Sequence, residues 1–177
     1  MGYSKLEKNL IDLMKEEQAK LGYRKEAVRL YYPLSSLNHL FEAEDSVDAM
    51  QERLIHFPED MTAKLGMLTV THKGERFCFR IPEEGSEYVH EHMGANEFIK
   101  ELVEMLWQHD TTMEQIRALF DRHADGVICE NIDNGEFDYL LRFPESVGDP
   151  YYYCFRNEGC HIIYHRFLPE DYADFDF

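Results

Sequence analysis

Residues 127–143, VICENIDNGEFDYLLRF, decide the fold class, because two strand-like runs flank a strong turn signal. Asn134-Gly135 is typical of a two-residue β-hairpin turn, which here predicts that Asp133 lies directly opposite Glu136. Such a pairing sends alternate residues to one face, so it also predicts a single inner face. That inner face consists of Ile128, Ile132, Phe137, Tyr139, Leu141 and Phe143, with Glu130 among them.

A second hairpin follows this one along the chain. Residues 151–167, YYYCFRNEGCHIIYHRF, predict two strands joined by a three-residue turn at 157–159. The turn is Asn-Glu-Gly, with glycine at the position that favours a left-handed conformation. The two hairpins together predict an antiparallel meander.

A third hairpin is predicted earlier in the chain, at residues 65–81. A two-residue Lys73-Gly74 turn pairs Val70 with Phe77. This register sorts the segment into an apolar face and a largely polar face, which is how the register of a half-buried hairpin is fixed.

Helices are predicted on both sides of this hairpin from apolar residues at helical spacing. The N-cap residue Ser46 and a Thr112-Gln115 capping box mark two helix starts. Glu17 is a carboxylate predicted within the apolar stripe of the first helix. The clearest helices span residues 4–21, 96–109 and 112–123.

Helices mixed with antiparallel hairpins in this order are typical of the α+β class. We therefore predict a single α+β domain over residues 1–177, in which the hairpins pack against four to five helices. The acidic and aromatic tail at residues 169–177 is expected to be either docked or frayed.

The charge of the chain is strongly negative, since 18 Lys+Arg stand against 35 Asp+Glu and give a net charge of −17. Nucleic-acid binders need a basic face, and a negative field repels anionic membranes, so neither is expected as a partner. The charge is uneven. Residues 1–33 hold 7 basic and 5 acidic residues, whereas residues 83–125 and 126–177 each hold 11 acidic and 3 basic residues, so the acidity lies mainly in the second half of the chain.

A cytoplasmic location is expected from the N-terminal residues and the cysteines. The N-terminus carries charges throughout and has no apolar segment of the kind found in signal peptides. The 4 cysteines show no CxxC pairing and are expected to be free thiols in a reducing compartment.

Aromatic and acidic side chains supply the candidate binding residues. Tyrosine and tryptophan at the boundary of a core suit a recognition surface. Carboxylates clustered at the 134–135 turn suit a basic partner or a cation. The candidates are Tyr31, Tyr32, Trp107, Tyr151, Tyr152, Tyr153, Asp133, Glu136 and Asp138.

Histidines supply the candidate metal ligands. If residues 88–93 are extended, His90 and His92 share one face and could chelate an ion. HEHM lacks the HExxH spacing of helical zinc sites, and no cofactor is predicted. Cys160 precedes His161, but neighbours along a strand point to opposite faces, so we expect no dyad between them.

The stretch EEQAKLGYRKEAVRLYYPLSSLNHLF at residues 16–41 resembles a bacterial family known only as a domain of unknown function. YRKEAVRLYYP is its most recognisable part, and the resemblance covers most of the chain. It implies a bacterial, cytoplasmic, single-domain protein and brings no reaction, ligand or catalytic residue.

These observations favour a non-enzymatic interaction module that binds a basic protein partner or a second copy of itself through its mildly basic first helix. Two alternatives stay open. One is a metal-dependent enzyme that uses the histidines or the acidic cluster. The other is a small-molecule sensor with an aromatic pocket between the sheet and the helix at 96–109.

Overall fold

The computed structural model describes residues 2–175, and its helices and strands fall into two compact units with the boundary between Glu97 and Phe98. Each unit combines helices with one antiparallel sheet, so the predicted α+β class is confirmed. The described residues form eight α-helices instead of the four to five predicted. The extent of a single domain over 1–177 stays a prediction.

The first unit contains a three-stranded sheet and, among the described residues, five helices. β3 is the central strand and pairs antiparallel with β1 and β2, which leaves β2 at an edge of the sheet. The elements are α1 (Ser4–Leu21), β1 (Val28–Pro33), α2 (Leu34–Phe41), α3 (Val47–Arg53), α4 (Phe57–Leu65), β2 (Thr69–Lys73), β3 (Arg76–Ile81) and α5 (Glu83–His92).

α1 has the predicted bounds and ends at Gly22, whose φ of +73° is one that L side chains rarely adopt. Its buried carboxylate is Glu16, whereas Glu17 is only half-buried. The prediction that placed Glu17 inside the apolar stripe is therefore wrong by one position. Glu16 Oε1 accepts a hydrogen bond from Lys20 Nζ at 2.9 Å, which compensates part of the cost of burying the charge.

The β2–β3 hairpin keeps its predicted faces but not its predicted turn. The turn comprises residues 74–75 instead of 73–74, and Val70 lies opposite Phe79 instead of Phe77. A shift of two residues leaves every side chain on its original face, because the side-chain period of a strand is two. Phe77 and Phe79 are accordingly both buried.

The second unit contains a four-stranded sheet in the order β4-β5-β6-β7, which confirms the predicted meander. Its first helix begins with Glu97 at the boundary of the two units. The elements are α6 (Glu97–Leu106), α7 (Met113–His123), β4 (Ile128–Asn131), β5 (Tyr139–Arg142), a 3₁₀ turn (Glu145–Val147), β6 (Tyr152–Asn157), β7 (Ile162–Phe167) and α8 (Pro169–Asp174).

The β4–β5 connection is a seven-residue loop and not the predicted two-residue turn. Asn131 pairs with Tyr139, so residues 132–138 lie outside the ladder. The cause is Asn134, whose Oδ1 accepts hydrogen bonds from the backbone N–H of Phe137 at 2.8 Å and of Glu136 at 3.1 Å. The pairing moves by one residue, and the predicted single inner face is wrong because a shift of one reverses the faces of β4 relative to β5.

Both faces of this sheet are covered. Leu141, Tyr153 and Phe155 are buried on one face, where Tyr153 and Phe155 contact the ring of Phe120 from α7. Leu140 and Cys154 are buried on the other face in a cluster with Phe167, against which Ile132, Phe137 and Tyr172 pack. This double coverage explains why consecutive residues such as Leu140 and Leu141 are both apolar.

The tail is docked over the part that the structure describes. α8 packs on β7, with the ring of Tyr172 centred 6.0 Å from Phe167 and 5.5 Å from Tyr152. The described part of the tail, residues 169–175, thus contacts the second sheet through its aromatic rings. Residues 176–177 lie outside the described residues.

Candidate functional site

Most of the tyrosines predicted as a recognition surface are buried. Tyr32 is 4% exposed and donates a hydrogen bond to Asn9 Oδ1 at 2.7 Å. Tyr151 and Tyr153 are buried in the second unit, and Tyr153 donates to Asp149 Oδ2 at 2.7 Å. Burial, followed by the negative charge of Asp149, raises the pKa of Tyr153 well above its usual value. These three side chains therefore serve the two cores.

The other predicted aromatic residues reach the surface. Tyr31, in the first unit, is 51% exposed and carries the guanidinium of Arg76 over its ring at 4.3 Å. Trp107, in the second unit, directly follows α6 and is 74% exposed. Tyr152 is half-buried, with the guanidinium of Arg142 at 5.5 Å from its ring. Tyr31 and Trp107 are thus available for recognition, each in its own unit.

The acidic residues of the β4–β5 loop do not face one another as predicted. Asp133 and Glu136 are both exposed, and Asp133 has a φ of +36°. Asp138 is half-buried, and its Oδ2 accepts a hydrogen bond from the backbone N–H of Asn157 at 2.8 Å. The longer loop removes the direct pairing of Asp133 with Glu136, and the hydrogen bond of Asp138 ties that loop to β6.

The proposed His90–His92 pair rests on an extended segment that the structure does not contain. Residues 83–92 form α5, and positions two apart on a helix point about 200° away from each other. The ring of His90 stacks on Tyr23 at 4.0 Å, and that of His92 lies 4.8 Å from Tyr88. The two rings are therefore separated. Within residues 2–175, no group of three or more His, Cys, Asp or Glu has the geometry to hold a metal ion.

Aromatic side chains fill the space between α6 and the second sheet, where the sequence suggested a sensor pocket. The ring of Phe98 lies 4.7 Å from Phe120, 4.9 Å from Phe143 and 5.6 Å from Tyr153. All four residues are buried. The rings meet largely edge to face, as aromatic cores prefer, and they occupy the volume that a ligand would need.

A further candidate site is a groove in the first unit, bordered by α3, the start of α4 and the edge strand β2. Its volume is about 770 Å³, within the range of ligand sites in proteins. Leu54 and Phe77 are almost fully buried and form part of its apolar lining together with the half-buried Val70. Ile55, which is 65% exposed, also lines this groove. We call it the β2 groove.

Two carboxylates give the β2 groove its charge. Asp48 and Glu52 are exposed, lie one helical turn apart on α3 and line the groove. Among the described residues neither side chain forms an ion pair, and the groove lining includes no lysine or arginine. His72 spans the groove, with Nε2 3.3 Å from Gln51 Oε1. The site therefore combines an apolar floor with an uncompensated negative wall.

Sequence reasoning missed the β2 groove because one of its walls was not predicted. The acidic residues at positions i and i+4 of the predicted helix and the apolar face of the hairpin were both visible signals. The start of α4 was not, because α3 ends at Arg53 and a separate helix that the sequence did not predict begins at Phe57.

The β6–β7 turn brings a thiol, an imidazole and a carboxylate together, contrary to the prediction from strand geometry. Asn157 pairs with Ile162, so the turn is four residues long, and Cys160 and His161 both lie outside β7. Cys160 Sγ is 3.1 Å from His161 Nδ1, and His161 Nε2 is 3.1 Å from Glu158 Oε2. The expectation that these neighbours form no dyad is therefore wrong, because strand alternation does not apply in the turn.

Among the described residues, no helix has the length and apolar character needed to cross a membrane.

Comparison with known proteins identifies a family for this chain but no activity. No curated protein and no solved structure matches the sequence. One protein family does match, over residues 3–175, under the description "Domain of unknown function, E. rectale Gene description" (DUF3877). This confirms the resemblance predicted from residues 16–41, and the chain belongs to this bacterial family of unknown function.

Proposed function

We propose that this protein is a non-enzymatic interaction module that binds an extended basic segment of a partner protein in the β2 groove. One observation carries the proposal: an edge strand, an apolar lining and two unpaired carboxylates meet at the same groove. Each of these features matches a different part of an extended peptide, namely its backbone, its apolar side chains and its cationic side chains.

The edge of β2 supplies the backbone part. Lys73 and Arg76 flank the two-residue turn of this hairpin, and such a pair exchanges both backbone N–H···O=C hydrogen bonds. Along the two strands, hydrogen-bonded pairs then alternate with pairs that are not hydrogen-bonded. This alternation turns the backbone N–H and C=O of Val70 and His72 away from β3. An added strand could bond to these groups, while its side chains meet the apolar lining.

The charge of the groove selects the partner. Asp48 and Glu52 attract lysine or arginine side chains, and the net charge of −17 adds a field that steers a basic segment toward the molecule. The same field disfavours nucleic acids and anionic membranes as partners. All four cysteines are free thiols, which suits a reducing compartment, and a cytoplasmic location is part of the proposal.

Self-association through α1 is the alternative partner, and two contacts weaken it. Of the four lysines of α1, Lys5 pairs with Glu42 and Lys20 pairs with Glu16, so half of the basic charge is already engaged within the unit. A basic partner protein is therefore the stronger form of the proposal.

The test uses the full chain and two labelled synthetic peptides of equal length. Both have valine at alternate positions, and the intervening positions are lysine in one and glutamate in the other. Binding is measured by fluorescence anisotropy. We expect the lysine peptide to bind and the glutamate peptide not to bind, because only the first complements Asp48 and Glu52. Methylation of alternate backbone amides of the lysine peptide should abolish binding, because it removes the donors that pair with β2.

A matched pair of double variants separates the groove from the general field. Asp48→Asn/Glu52→Gln should weaken binding of the lysine peptide about tenfold or more, as expected for two direct charge contacts. Asp133→Asn/Glu136→Gln removes the same charge from the β4–β5 loop and should change binding less than about twofold. Equal losses in the two variants would refute the groove as the site. A larger loss in Asp133→Asn/Glu136→Gln would instead make the β4–β5 loop the preferred surface.

A further inference from the structure

We propose that Cys160 is a nucleophilic thiol that exchanges with small disulfides, with His161 as its proton acceptor and Glu158 as the positioning residue for His161. The three side chains form an array connected through His161, with Sγ to Nδ1 and Nε2 to Oε2 both at 3.1 Å. A nucleophile within reach of a base, which a third group orients, is the diagnostic arrangement for an activated nucleophile.

The tautomer of His161 follows from its two partners. Glu158 is a carboxylate and can only accept, so the Nε2 side of the ring carries the proton that it donates to Oε2. Nδ1 is then the unprotonated nitrogen, and it faces Sγ of Cys160 as the acceptor for the thiol proton. The other carboxylate oxygen, Oε1, lies 3.8 Å from Arg156 Nε, which helps to hold Glu158 in place.

The turn fixes this array on an accessible surface. The backbone N–H of Glu158 donates to the carbonyl of His161 at 2.9 Å, and that of Gly159 donates to Asn157 Oδ1 at 2.9 Å. Gly159 has a φ of +89°, which an L residue rarely adopts. Cys160 and His161 are both exposed, so a disulfide can approach the sulfur without any opening of the core.

The exchange balances without an external oxidant. The thiol proton of Cys160 passes to His161 Nδ1, and the resulting thiolate attacks one sulfur of the disulfide. The bond from Sγ to that sulfur forms as the disulfide bond breaks, and the bonding pair leaves with the second sulfur. That departing thiolate takes the proton from His161. One thiol and one disulfide thus become a mixed disulfide at Cys160 and one free thiol.

The other cysteines provide internal references within the same chain. Cys154 is fully buried in the second sheet, and burial raises its pKa to about 12. Cys78 and Cys129 are half-buried in β3 and β4. A reagent added to the folded protein therefore meets Cys160 as its most accessible thiol.

In the experiment, the folded full chain is treated with 2-hydroxyethyl disulfide. Because this reagent is uncharged, the rate at which it reacts with a cysteine does not depend on the negative charge of the protein. Acid-quenched samples are digested, and mass spectrometry follows the mixed disulfide at each cysteine. We expect Cys160 to react first. His161→Gln should slow its reaction about tenfold or more at neutral pH, and Glu158→Gln should slow it less, because Glu158 acts only through His161.

The pH profile distinguishes proton acceptance from a structural role. At a pH well above the range in which ordinary thiols ionise, wild type and His161→Gln should react at the same rate, because no base is then needed. His109→Gln, an exposed histidine outside the turn, should match wild type throughout. The proposal is overturned if His161→Gln reacts within about twofold of wild type at neutral pH. It is also overturned if the two stay different in alkali, or if Cys78 or Cys129 reacts as fast as Cys160.

Discussion

Replacement of Gly85 by alanine should destabilise the first unit, although the same change in an exposed helix is stabilising. Gly85 is buried in the first turns of α5. A Cβ at this position would lie 2.3 Å from the carbonyl oxygen of Leu65 and 2.5 Å from Cγ2 of Ile81. Both distances are far inside van der Waals contact. The absence of a side chain at Gly85 therefore sets how closely α5 approaches the end of α4.

The magnitude follows from two opposing effects. Alanine in place of glycine favours a helix by about 1 kcal/mol. Overpacking a core costs about 3 kcal/mol at the upper end of its usual range, which applies here because the closest atom is a backbone oxygen that cannot rotate away. The net expectation is a loss of about 2 kcal/mol, or a decrease in Tm of about 4–8 °C for a chain of this size.

Urea unfolding followed by far-UV circular dichroism measures this loss. The control is Glu91→Ala, an exposed position on the same helix, which should stay within about 0.5 kcal/mol of wild type. If Gly85→Ala instead raises the free energy of unfolding, α5 must be free to move away from α4, and the close approach at Leu65 does not hold the unit together.

Two further substitutions test single contacts. Tyr153→Phe should lower the free energy of unfolding by about 2 kcal/mol in urea titrations, because it removes a buried hydrogen bond to the carboxylate of Asp149. Tyr139→Phe serves as the control and should be nearly neutral. The hydrogen bond that Arg53 donates is the main cause that lowers the pKa of Asp45 below its usual 3.8. Because the pKa of Asp45 is lower in the folded than in the unfolded protein, its carboxylate stabilises the fold at any pH above the pKa of the unfolded state. This stabilisation is lost as the pH falls through the pKa of the folded state. Asp45→Asn should therefore be less stable than wild type near neutral pH, and the difference in Tm should shrink in acid; a constant difference would contradict this.

Helix starts were predictable because their partners are close in sequence. Thr112 Oγ1 accepts from the backbone N–H of Gln115 at 3.3 Å, and Gln115 Oε1 accepts from the N–H of Thr112 at 2.9 Å. Ser46 accepts from Ala49 N–H at 3.3 Å in the same way. Such contacts depend on three or four adjacent residues and on little else, so a sequence pattern is sufficient to locate them.

Turn lengths were not predictable to the same degree. Asn134-Gly135 correctly located a turn, but the side chain of Asn134 bonds the backbone two and three residues ahead and enlarges the loop. The β6–β7 turn is also longer than predicted, and this difference decides the chemistry of Cys160 and His161. A change of one residue in a turn reverses the side-chain faces, so predicted faces fail wherever turn length is misjudged.

The buried tyrosines show a second limit of pattern reasoning. The sequence predicts Tyr151, Tyr152 and Tyr153 as part of a recognition surface, because tyrosine at the boundary of a core suits recognition. The sheet has two covered faces, with Tyr153 toward α7 and Tyr152 toward α8. Sequence periodicity identifies a buried face only when the opposite face is exposed, and the covering helix α8 was not predicted.

The sequence left two classes of partner open, a second copy of the chain and a basic protein. The net charge alone does not separate them, but the salt dependence of binding does. Two copies of a chain with a charge of −17 repel each other, and Lys5 and Lys20 of the basic helix α1 are already paired within the unit, so added salt should strengthen self-association. A basic segment is attracted by the same charge, so added salt should weaken its binding, and at physiological salt only contacts within about 8 Å persist. Opposite responses to salt therefore identify the class of partner. Within the attractive class, only variants that remove equal charge from different places reveal the site. The comparison of Asp48 and Glu52 with Asp133 and Glu136 has this form, because both variants leave the chain with the same net charge.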